Sequence, residues 1–192
     1  MKKTLLAVLA ALILAPAGLQ AQNTTEKAIA KIRKDYATAN EMIKAVGDYY
    51  DGIFINSTTL DIKEMWFPSG PHASKTEIFY VLGNPEDWSE WSFDRNVFFV
   101  RSKWNIAPRE YYCEFLFDPK TGNPEFYFYR VMGYDGKEYE YRYYWENGKL
   151  IRSICPPNPG DDILLDCDIP NPEGVYKKAI KYQNSAEALS NY

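Results

Sequence analysis

Trp88 and Trp91 form the sharpest chemical signal in the sequence, within the stretch NPEDWSEWSF. Three carboxylates, Glu86, Asp87 and Glu90, flank the two indoles. An exposed indole stacks on the face of a sugar ring while neighbouring carboxylates accept hydrogen bonds from the sugar hydroxyls, so the pattern predicts a glycan-binding loop. The alternative is a single helical turn that packs both indoles against the edge of the core.

Three alternate tyrosines, Tyr139, Tyr141 and Tyr143, stand in a row in the stretch YEYRYYWENGKLIRS. Alternation places their side chains on one face of a strand, where a buried tyrosine hydroxyl needs a hydrogen-bond partner. An aromatic face of this kind usually belongs to the hydrophobic core. A row of tyrosines is also compatible with a sheet face that is only half covered and binds a ligand there. These three tyrosines, together with Trp88 and Trp91, are therefore the candidate ligand-binding residues.

Catalytic chemistry has weaker support. The only histidine, His72, lies near Ser69 and Ser74, but no Gly-x-Ser-x-Gly elbow surrounds either serine and no third member of a triad can be identified. The prolines and glycine beside it predict a turn. We assign no catalytic residue.

An acidic loop lies between the last predicted strand and the final helix. Its aspartates are Asp161, Asp162, Asp166 and Asp168. Calcium prefers such oxygen ligands, but their spacing is not that of an EF-hand, and one histidine with three cysteines at these spacings does not make a zinc site. We therefore expect no metal and no cofactor. A carboxylate-dependent hydrolase acting on glycans stays the alternative function, because the separation of two carboxylates in space decides it.

Cys155 and Cys167 flank the proline- and glycine-rich stretch PPNPGDDILLD. In an oxidising compartment they are predicted to form a disulfide, which closes a loop of about a dozen residues and stabilises the fold by ~3 kcal/mol. Cys113 alternates with aromatic residues on a predicted strand and is expected to be a small buried hydrophobe. Other pairings stay open.

The first residues predict the compartment. Lys2 and Lys3 precede an apolar run, Leu5–Ala15, and small residues after it offer cleavage sites after Ala17 or Ala21. This pattern predicts a secretory signal peptide over residues 1–21. The run is shorter than the about 20 residues that a membrane-spanning helix needs, so we expect no membrane span. The expected location is the periplasm or the cell exterior.

Loss of this leader and its two lysines changes the formal net charge from −4 to −6. It leaves about 170 residues, the usual size of one domain. An acidic chain without a basic block argues against a nucleic-acid partner, whose phosphates need neutralising. The partner classes that remain are an apolar small molecule, a glycan or a cell-envelope protein.

Two helices are predicted, one at each end of the mature chain. Thr24–Val46 has helical periodicity, with Asn23 as its N-cap and Gly47 at its end. A second helix is predicted from Pro172, capped by Asn171. The apolar stripe of the first helix consists of Ile29, Ile32, Tyr36, Ala39, Met42, Ile43 and Val46.

Between the helices the hydrophobic period changes to two, which predicts seven strands. The candidate strands are Thr58–Trp66, Lys75–Leu82, Val97–Trp104, Glu110–Phe117, Glu125–Val131, Lys137–Trp145 and Lys149–Ile154. The pairs Asp135-Gly136 and Asn147-Gly148 predict two-residue hairpin loops, and turns this short indicate an antiparallel meander.

The predicted loops also set the register of the last three strands. Met132 is expected opposite Tyr139, Trp145 opposite Leu150, and Tyr143 opposite Arg152. One face then collects Phe126, Phe128, Tyr139, Tyr141, Tyr143, Trp145, Leu150 and Ile154. A carrier of apolar ligands would use Phe128, Tyr141 and Tyr143 to line one internal cavity.

Three segments in order carry a resemblance: KAIAKIRKDYATANEMI after the leader, then MWFPSGPHASKTEIFYV, then a strand that ends YYWENGKLIR. In the order and residue pattern of these segments, the chain resembles a broad group of uncharacterised secreted proteins of Gram-negative gut bacteria. This resemblance implies secretion but no particular activity. The layout is also similar to cystatin-like and NTF2-like folds, where a helix lies across a curved sheet, and to half-barrel periplasmic lipoprotein carriers. No functional residue of those families matches this chain.

These patterns together predict one α+β domain over residues 22–192. In it, an N-terminal helix packs on a curved antiparallel meander sheet, and a C-terminal helix follows. The expected function is that of an exported, non-catalytic binding protein that uses a concave aromatic-rich sheet face or the tryptophan loop.

Overall fold

The computed structural model describes residues 24–66, 70–82, 95–106, 108–157, 160, 162–165 and 168–188. Helix α1 covers residues 24–44. The remaining elements are β1 Tyr49–Tyr50, β2 Ile53–Phe54, β3 Asn56–Trp66, β4 Gly70–Leu82, β5 Arg95–Ile106, β6 Arg109–Phe117, β7 Pro124–Met132, β8 Glu138–Glu146, β9 Lys149–Ile154 and α2 Pro172–Ala188. Neither described helix is both long and apolar enough to cross a membrane.

Strands β3 to β9 form one antiparallel sheet in chain order, and β1 and β2 form a separate small hairpin. The predicted α+β architecture with an antiparallel meander between two helices is therefore confirmed. The sheet is open, with β3 at one edge and β9 at the other.

The start of β4 differs from the prediction. Gly70 and Pro71, expected in a turn, already pair with Trp66 and Met65 of β3. Strand β4 therefore begins five residues before the predicted start at Lys75, and Gly70 adopts a φ of +92°, which glycine tolerates without a Cβ clash.

The helices cover opposite faces of the sheet, each above its own hydrophobic cluster. On the α1 face, Ile29, Ile32 and Ala39 are buried among residues of the central strands. On the α2 face, Val175 and Ala179 join a larger aromatic cluster. The sheet is thus apolar on both faces beneath the helices, which explains its density of large aromatic side chains.

Two local signals at the ends of elements, the Asn171 cap and the Asn147-Gly148 loop, are confirmed, whereas α1 ends two residues before the predicted Val46. The Asn171 Oδ1 atom accepts hydrogen bonds from the backbone N–H groups of Glu173 (3.0 Å) and Gly174 (3.1 Å), as an N-cap does. Asn147 and Gly148 have φ of +50° and +76°, the values of a type I′ hairpin loop. The predicted cap at Asn23 lies outside the described residues.

The predicted register between β7 and β8 is wrong by one residue. Met132 lies opposite Glu138, not Tyr139, and Phe128 lies opposite Arg142. The loop is longer than two residues, since the Gly133 N–H donates to the carbonyl of Lys137 at 2.8 Å. A shift of one residue exchanges the faces, so Phe128 lies on the α1 face, away from the tyrosine row.

A bulge changes the register between β8 and β9. Trp145 lies opposite Leu150 as predicted, but the bulge between Tyr144 and Trp145 places Tyr143 opposite Ser153. The extra residue is Ile151 of β9, between Leu150 and Arg152. The hairpin loop did not predict it, because a loop fixes the register of two strands only as far as the first bulge.

Candidate ligand-binding cleft

Helix α1 covers only part of its face of the sheet. Beneath it lies an apolar row that crosses five neighbouring strands, formed by Phe79, Phe99, Leu116, Phe126 and Tyr144. The next row along the strands carries charge and is formed by Glu77, Arg101, Glu114, Phe128 and Arg142. Tyr36 of α1 reaches the boundary between the two rows, because its ring contacts Phe99 and Phe126 of the apolar row and its hydroxyl donates to Glu114 of the charged row.

A cleft of about 210 Å³ opens at this boundary. Its lining residues are Ile32, Arg33, Tyr36, Phe126, Arg142 and Tyr144. The helix contributes one wall and strands β7 and β8 the other. The floor is aromatic and the rim carries two guanidinium groups, so the cleft combines an apolar surface with positive charge.

Two contacts orient Arg142 at the rim. Its Nη2 atom donates to Glu140 Oε2 at 2.6 Å, and its guanidinium lies 5.1 Å from the centre of the Phe128 ring. The Arg142 side chain is about one-third exposed. Its cation–π contact keeps the guanidinium over the Phe128 ring. A guanidinium held in this way still has donors that can face a ligand.

Arg33 contributes the second charge from α1. Its side chain is exposed, and within the described ranges it has no ion-pair partner. The cleft therefore has two guanidinium groups at its rim, of which Arg142 is paired with Glu140 and Arg33 is exposed to solvent.

Tyr36 is fixed at the inner end of the cleft by a buried carboxylate. Glu114 is 7 % exposed and accepts hydrogen bonds from the hydroxyls of Tyr36 and Tyr112, one on each oxygen. Burial, and then the bond to Glu114, raise the pKa of Tyr36 well above its usual range. The Tyr36 ring also contacts Phe99 and Phe126, with centroids 5.9 Å and 5.2 Å away.

This arrangement holds Tyr36 in place at the inner end of the cleft. Both Glu114 oxygens are occupied by phenols, so the carboxylate orients Tyr36 and presents no free oxygen to a substrate. What the cleft offers a ligand is an aromatic floor, two cations and little reorganisation on binding.

A second depression, of about 140 Å³, lies beside the N-terminal half of α1. Its buried carboxylate, Glu125, is already paired with Lys31 at 2.9 Å. Burial raises the pKa of Glu125, although the ion pair with Lys31 opposes this shift. Only the Oε1 atom of Glu125 meets Lys31, and its Oε2 atom is buried without a hydrogen-bond partner among the described residues. This depression therefore offers a carboxylate, whereas the cleft between α1 and strands β7 and β8 offers guanidinium groups.

Three of the predicted ligand-binding residues, Tyr139, Tyr141 and Tyr143, do not line the cleft. Trp88 and Trp91 fall outside the described residues. Tyr141 and Tyr143 lie on the α2 face and are 3 % and 2 % exposed, while Tyr139 is half-buried and its hydroxyl donates to Asp135. The Tyr143 hydroxyl donates to the carbonyl of Pro170, so the segment before α2 supplies the partner that a buried phenol needs.

The predicted cavity for an apolar ligand, lined by Phe128, Tyr141 and Tyr143, does not form. Phe128 lies on the α1 face, and Tyr141 and Tyr143 lie on the α2 face, because their strands pair one residue away from the predicted register. The three side chains are therefore on opposite sides of the sheet.

One aspartate of the acidic loop has a structural partner. Asp168 is 3 % exposed and forms an ion pair with Arg109 at 2.6 Å, and it also accepts a hydrogen bond from the Tyr111 hydroxyl. Asp161 and Asp166 lie outside the described residues. Within the described ranges, no three His, Cys, Asp or Glu side chains are grouped closely enough to hold a metal ion.

His72 and the cysteines take ordinary positions. His72 lies on β4 opposite Glu64, and Ser69 lies outside the described residues. Cys113 is buried, as expected, and Cys155 is exposed just after β9. Cys167 lies outside the described part of the chain, so the Cys155–Cys167 disulfide stays a prediction.

Sequence reasoning missed the cleft, although single residues carried signals. Glu114 is a lone carboxylate in the apolar stretch YYCEFLF, which indicates a buried acid that needs donors. Tyr36 stands in the apolar stripe of α1, where its hydroxyl also needs a partner. No local pattern joins these two residues to Arg142, which lies more than a hundred positions after Tyr36.

No protein-family model, curated protein or solved structure matches this chain. The resemblance to secreted proteins of gut bacteria and to cystatin-like or NTF2-like layouts stays a prediction. The functional proposal below is therefore based on the geometry of the cleft.

Proposed function

We propose that the protein is an exported, non-catalytic binding protein, and that its ligand site is the cleft between α1 and strands β7 and β8. The ligand is a small amphipathic molecule with an aromatic or aliphatic body and an anionic group. The body contacts Phe126 and Tyr144, and the anionic group meets Arg142 and Arg33.

The observation that carries this proposal is the position of Arg142. A partly exposed guanidinium, oriented by Glu140 and Phe128, lies at the rim of an apolar cleft. Arginine binds carboxylates, phosphates and sulfonates through paired donors, and a preformed site loses little entropy when it does so. The predicted curvature of the sheet belongs to this proposal, since a sheet curved around α1 would deepen the cleft.

The tyrosine row gives less support to a binding site, because Tyr141 and Tyr143 are buried beneath the segment that precedes α2. The hydrolase alternative gains nothing from the carboxylates of Glu114 and Asp168. Glu114 is held by two phenols, and Asp168 by Arg109.

Two dyes that share one aromatic frame test the site. Anilinonaphthalene sulfonate carries an anion, and phenylnaphthylamine lacks it. We expect the native protein to bind the sulfonate saturably and more tightly, by fluorescence titration. Arg142→Gln should weaken sulfonate binding by about 10- to 100-fold, as loss of a hydrogen bond to a charged group costs about 1.5–3 kcal/mol. Binding of the neutral dye should hardly change.

Arg130→Gln is the matched control. Arg130 lies on the same face and also stacks on a ring, that of Tyr112, but it does not line the cleft. If Arg130→Gln weakens sulfonate binding as much as Arg142→Gln, the dye binds elsewhere. If Arg142→Gln weakens both dyes equally, the guanidinium does not select the anion. Absence of saturable binding to the folded protein would reject the cleft as the site.

Export rests on residues 1–21 and has a separate test. Expression of the full chain in a Gram-negative host, followed by fractionation and N-terminal sequencing, should give a mature protein that begins at Gln22 or Gly18 outside the cytoplasm. Retention of the intact chain in the cytoplasm would contradict this part of the proposal.

A further inference from the structure

Strand β3 is an exposed edge with unusual self-complementarity. Within the described residues it forms a backbone ladder with β4 only, so every second residue directs its N–H and C=O groups away from the sheet. Three apolar side chains along it are exposed: Leu60 at 42 %, Ile62 at 44 % and Met65 at 70 %. An edge of eleven residues with these properties is a template for another strand.

The charges on β3 point to the identity of that strand. Asp61 and Lys63 have opposite signs and stand two positions apart, so their side chains project from the same face. Neither has an ion-pair partner within the part of the chain that the structure describes. A strand that runs antiparallel to β3 and carries the same two charges would satisfy both.

We propose that β3 pairs antiparallel with β3 of a second copy of this chain, about a two-fold axis at Ile62. Directly opposite residues share a face, so the axis must pass through a residue and not between two. An axis at Ile62 places Asp61 opposite Lys63 of the second copy, and Lys63 opposite its Asp61. The two Ile62 side chains then lie against each other.

Neighbouring registers are excluded by charge. An axis at Asp61 places the two copies of Asp61 opposite each other, and an axis at Lys63 does the same for the lysines. Like charges directly opposite one another destabilise a strand pair. The Ile62 register is the one register of this strand that places Asp61 opposite Lys63, and Glu64 then lies opposite Leu60 of the second copy.

The other edge of the sheet does not offer this pairing. Strand β9 has six residues, and its charged side chains, Lys149 and Arg152, are both positive. Arg152 is also engaged by Glu26 of α1. Dimerisation through β3 would join two seven-stranded sheets into one. It would not involve the cleft between α1 and strands β7 and β8, so this proposal does not depend on the proposed function.

A cysteine placed at the axis tests the register. In the Ile62→Cys variant the two new thiols lie opposite each other, with Cβ atoms about 4.5–5.5 Å apart, so mild oxidation should yield a covalent dimer. Thr58→Cys is the matched control on the same strand and face. The register places its two copies about 26 Å apart, because eight residues separate them along the strands. The control should stay monomeric under oxidation, and it also reports any crosslinking through the native cysteines.

Charge exchange tests the pairing without a new covalent bond. By sedimentation over a wide range of concentration, the wild type should show a reversible monomer–dimer equilibrium. Lys63→Asp should weaken dimerisation about ten-fold or more, since two attractive pairs become repulsive. The double variant Asp61→Lys/Lys63→Asp should restore it, because opposite charges face each other again.

Three results would overturn the proposal. These are a wild-type protein that stays monomeric at every concentration, equal crosslinking of the two cysteine variants, and a charge-exchanged variant that dimerises no better than Lys63→Asp. Circular dichroism of each variant checks that the chain is folded.

Discussion

Replacing Asp168 with alanine should destabilise the protein more than any loss of a surface charge. The Asp168 Oδ2 atom accepts a hydrogen bond from Arg109 Nη1 at 2.6 Å and one from the Leu165 N–H at 2.9 Å. Its Oδ1 atom accepts one from the Tyr111 hydroxyl at 3.1 Å. These bonds tie the segment before α2, including the fully buried Leu164, to strand β6.

The expected magnitude follows from burial. In the alanine variant the Arg109 side chain, which is 10 % exposed, keeps its charge but loses its counter-charge. Removing one partner of a buried ion pair costs about 3–5 kcal/mol, a large part of a total stability of about 5–15 kcal/mol. At about 2–4 °C per kcal/mol for a chain of this size, Tm should fall by about 6–20 °C.

Urea unfolding followed by circular dichroism measures the free energy, and hydrogen exchange reports where the structure opens. Exchange should increase first around Leu164 and at the strands beneath it. Glu173→Ala, which breaks the exposed ion pair with Lys177, is the control and should change stability much less.

The double variant Arg109→Met/Asp168→Leu should recover most of the loss, because apolar side chains of similar size often replace a buried ion pair without destabilising. Equal losses for Asp168→Ala and Glu173→Ala would refute the reasoning. So would a double variant that is less stable than Asp168→Ala.

Three other predictions concern thiols, packing and alkaline pH. Burial raises the pKa of Cys113 to about 12, so a thiol reagent should find no reactive cysteine in the native protein if Cys155 and Cys167 are bridged. It should find the exposed Cys155 if they are not, and unfolding should add Cys113 in either case. Gly133→Ala should destabilise by about 1–3 kcal/mol, because its Cβ would lie 2.7 Å from two side-chain atoms; an unchanged urea midpoint would contradict this packing. Burial also raises the pKa of the core tyrosines, so the folded state keeps phenol protons that the unfolded chain loses above about pH 10. Stability should therefore be full below that pH and fall above it; formation of tyrosinate in the folded protein without loss of stability would contradict this.

Local signals predicted most of the architecture. The apolar stripe of α1, the Asn171 cap and the Asn147-Gly148 loop each depend on neighbours within a few positions, so their geometry follows from backbone preferences and short-range hydrogen bonds. Alternation with period two likewise predicted seven strands, and only their ends moved. The signal peptide is a prediction of the same local kind.

Register could not be predicted in this way. The Asp135-Gly136 pair suggested a two-residue loop, but the backbone bond between Gly133 and Lys137 closes a longer one. Because side chains alternate, that difference of one residue moved Phe128 to the other face of the sheet. A similar difference arises at the bulge beside Trp145.

The amino-acid sequence alone therefore determined the two helices, the seven strands of the main sheet and their order, but not the small β1–β2 hairpin. Tertiary structure alone decided which side chains meet. Tyr36 of α1 meets Glu114 of β6, and Arg109 meets Asp168. Tyr141 and Tyr143 become core because the segment before α2 covers them. The physical reason is the distance along the chain over which each effect acts. Periodicity and helix caps depend on residues a few positions apart, whereas the cleft depends on how α1 packs against strands that lie far away in the sequence.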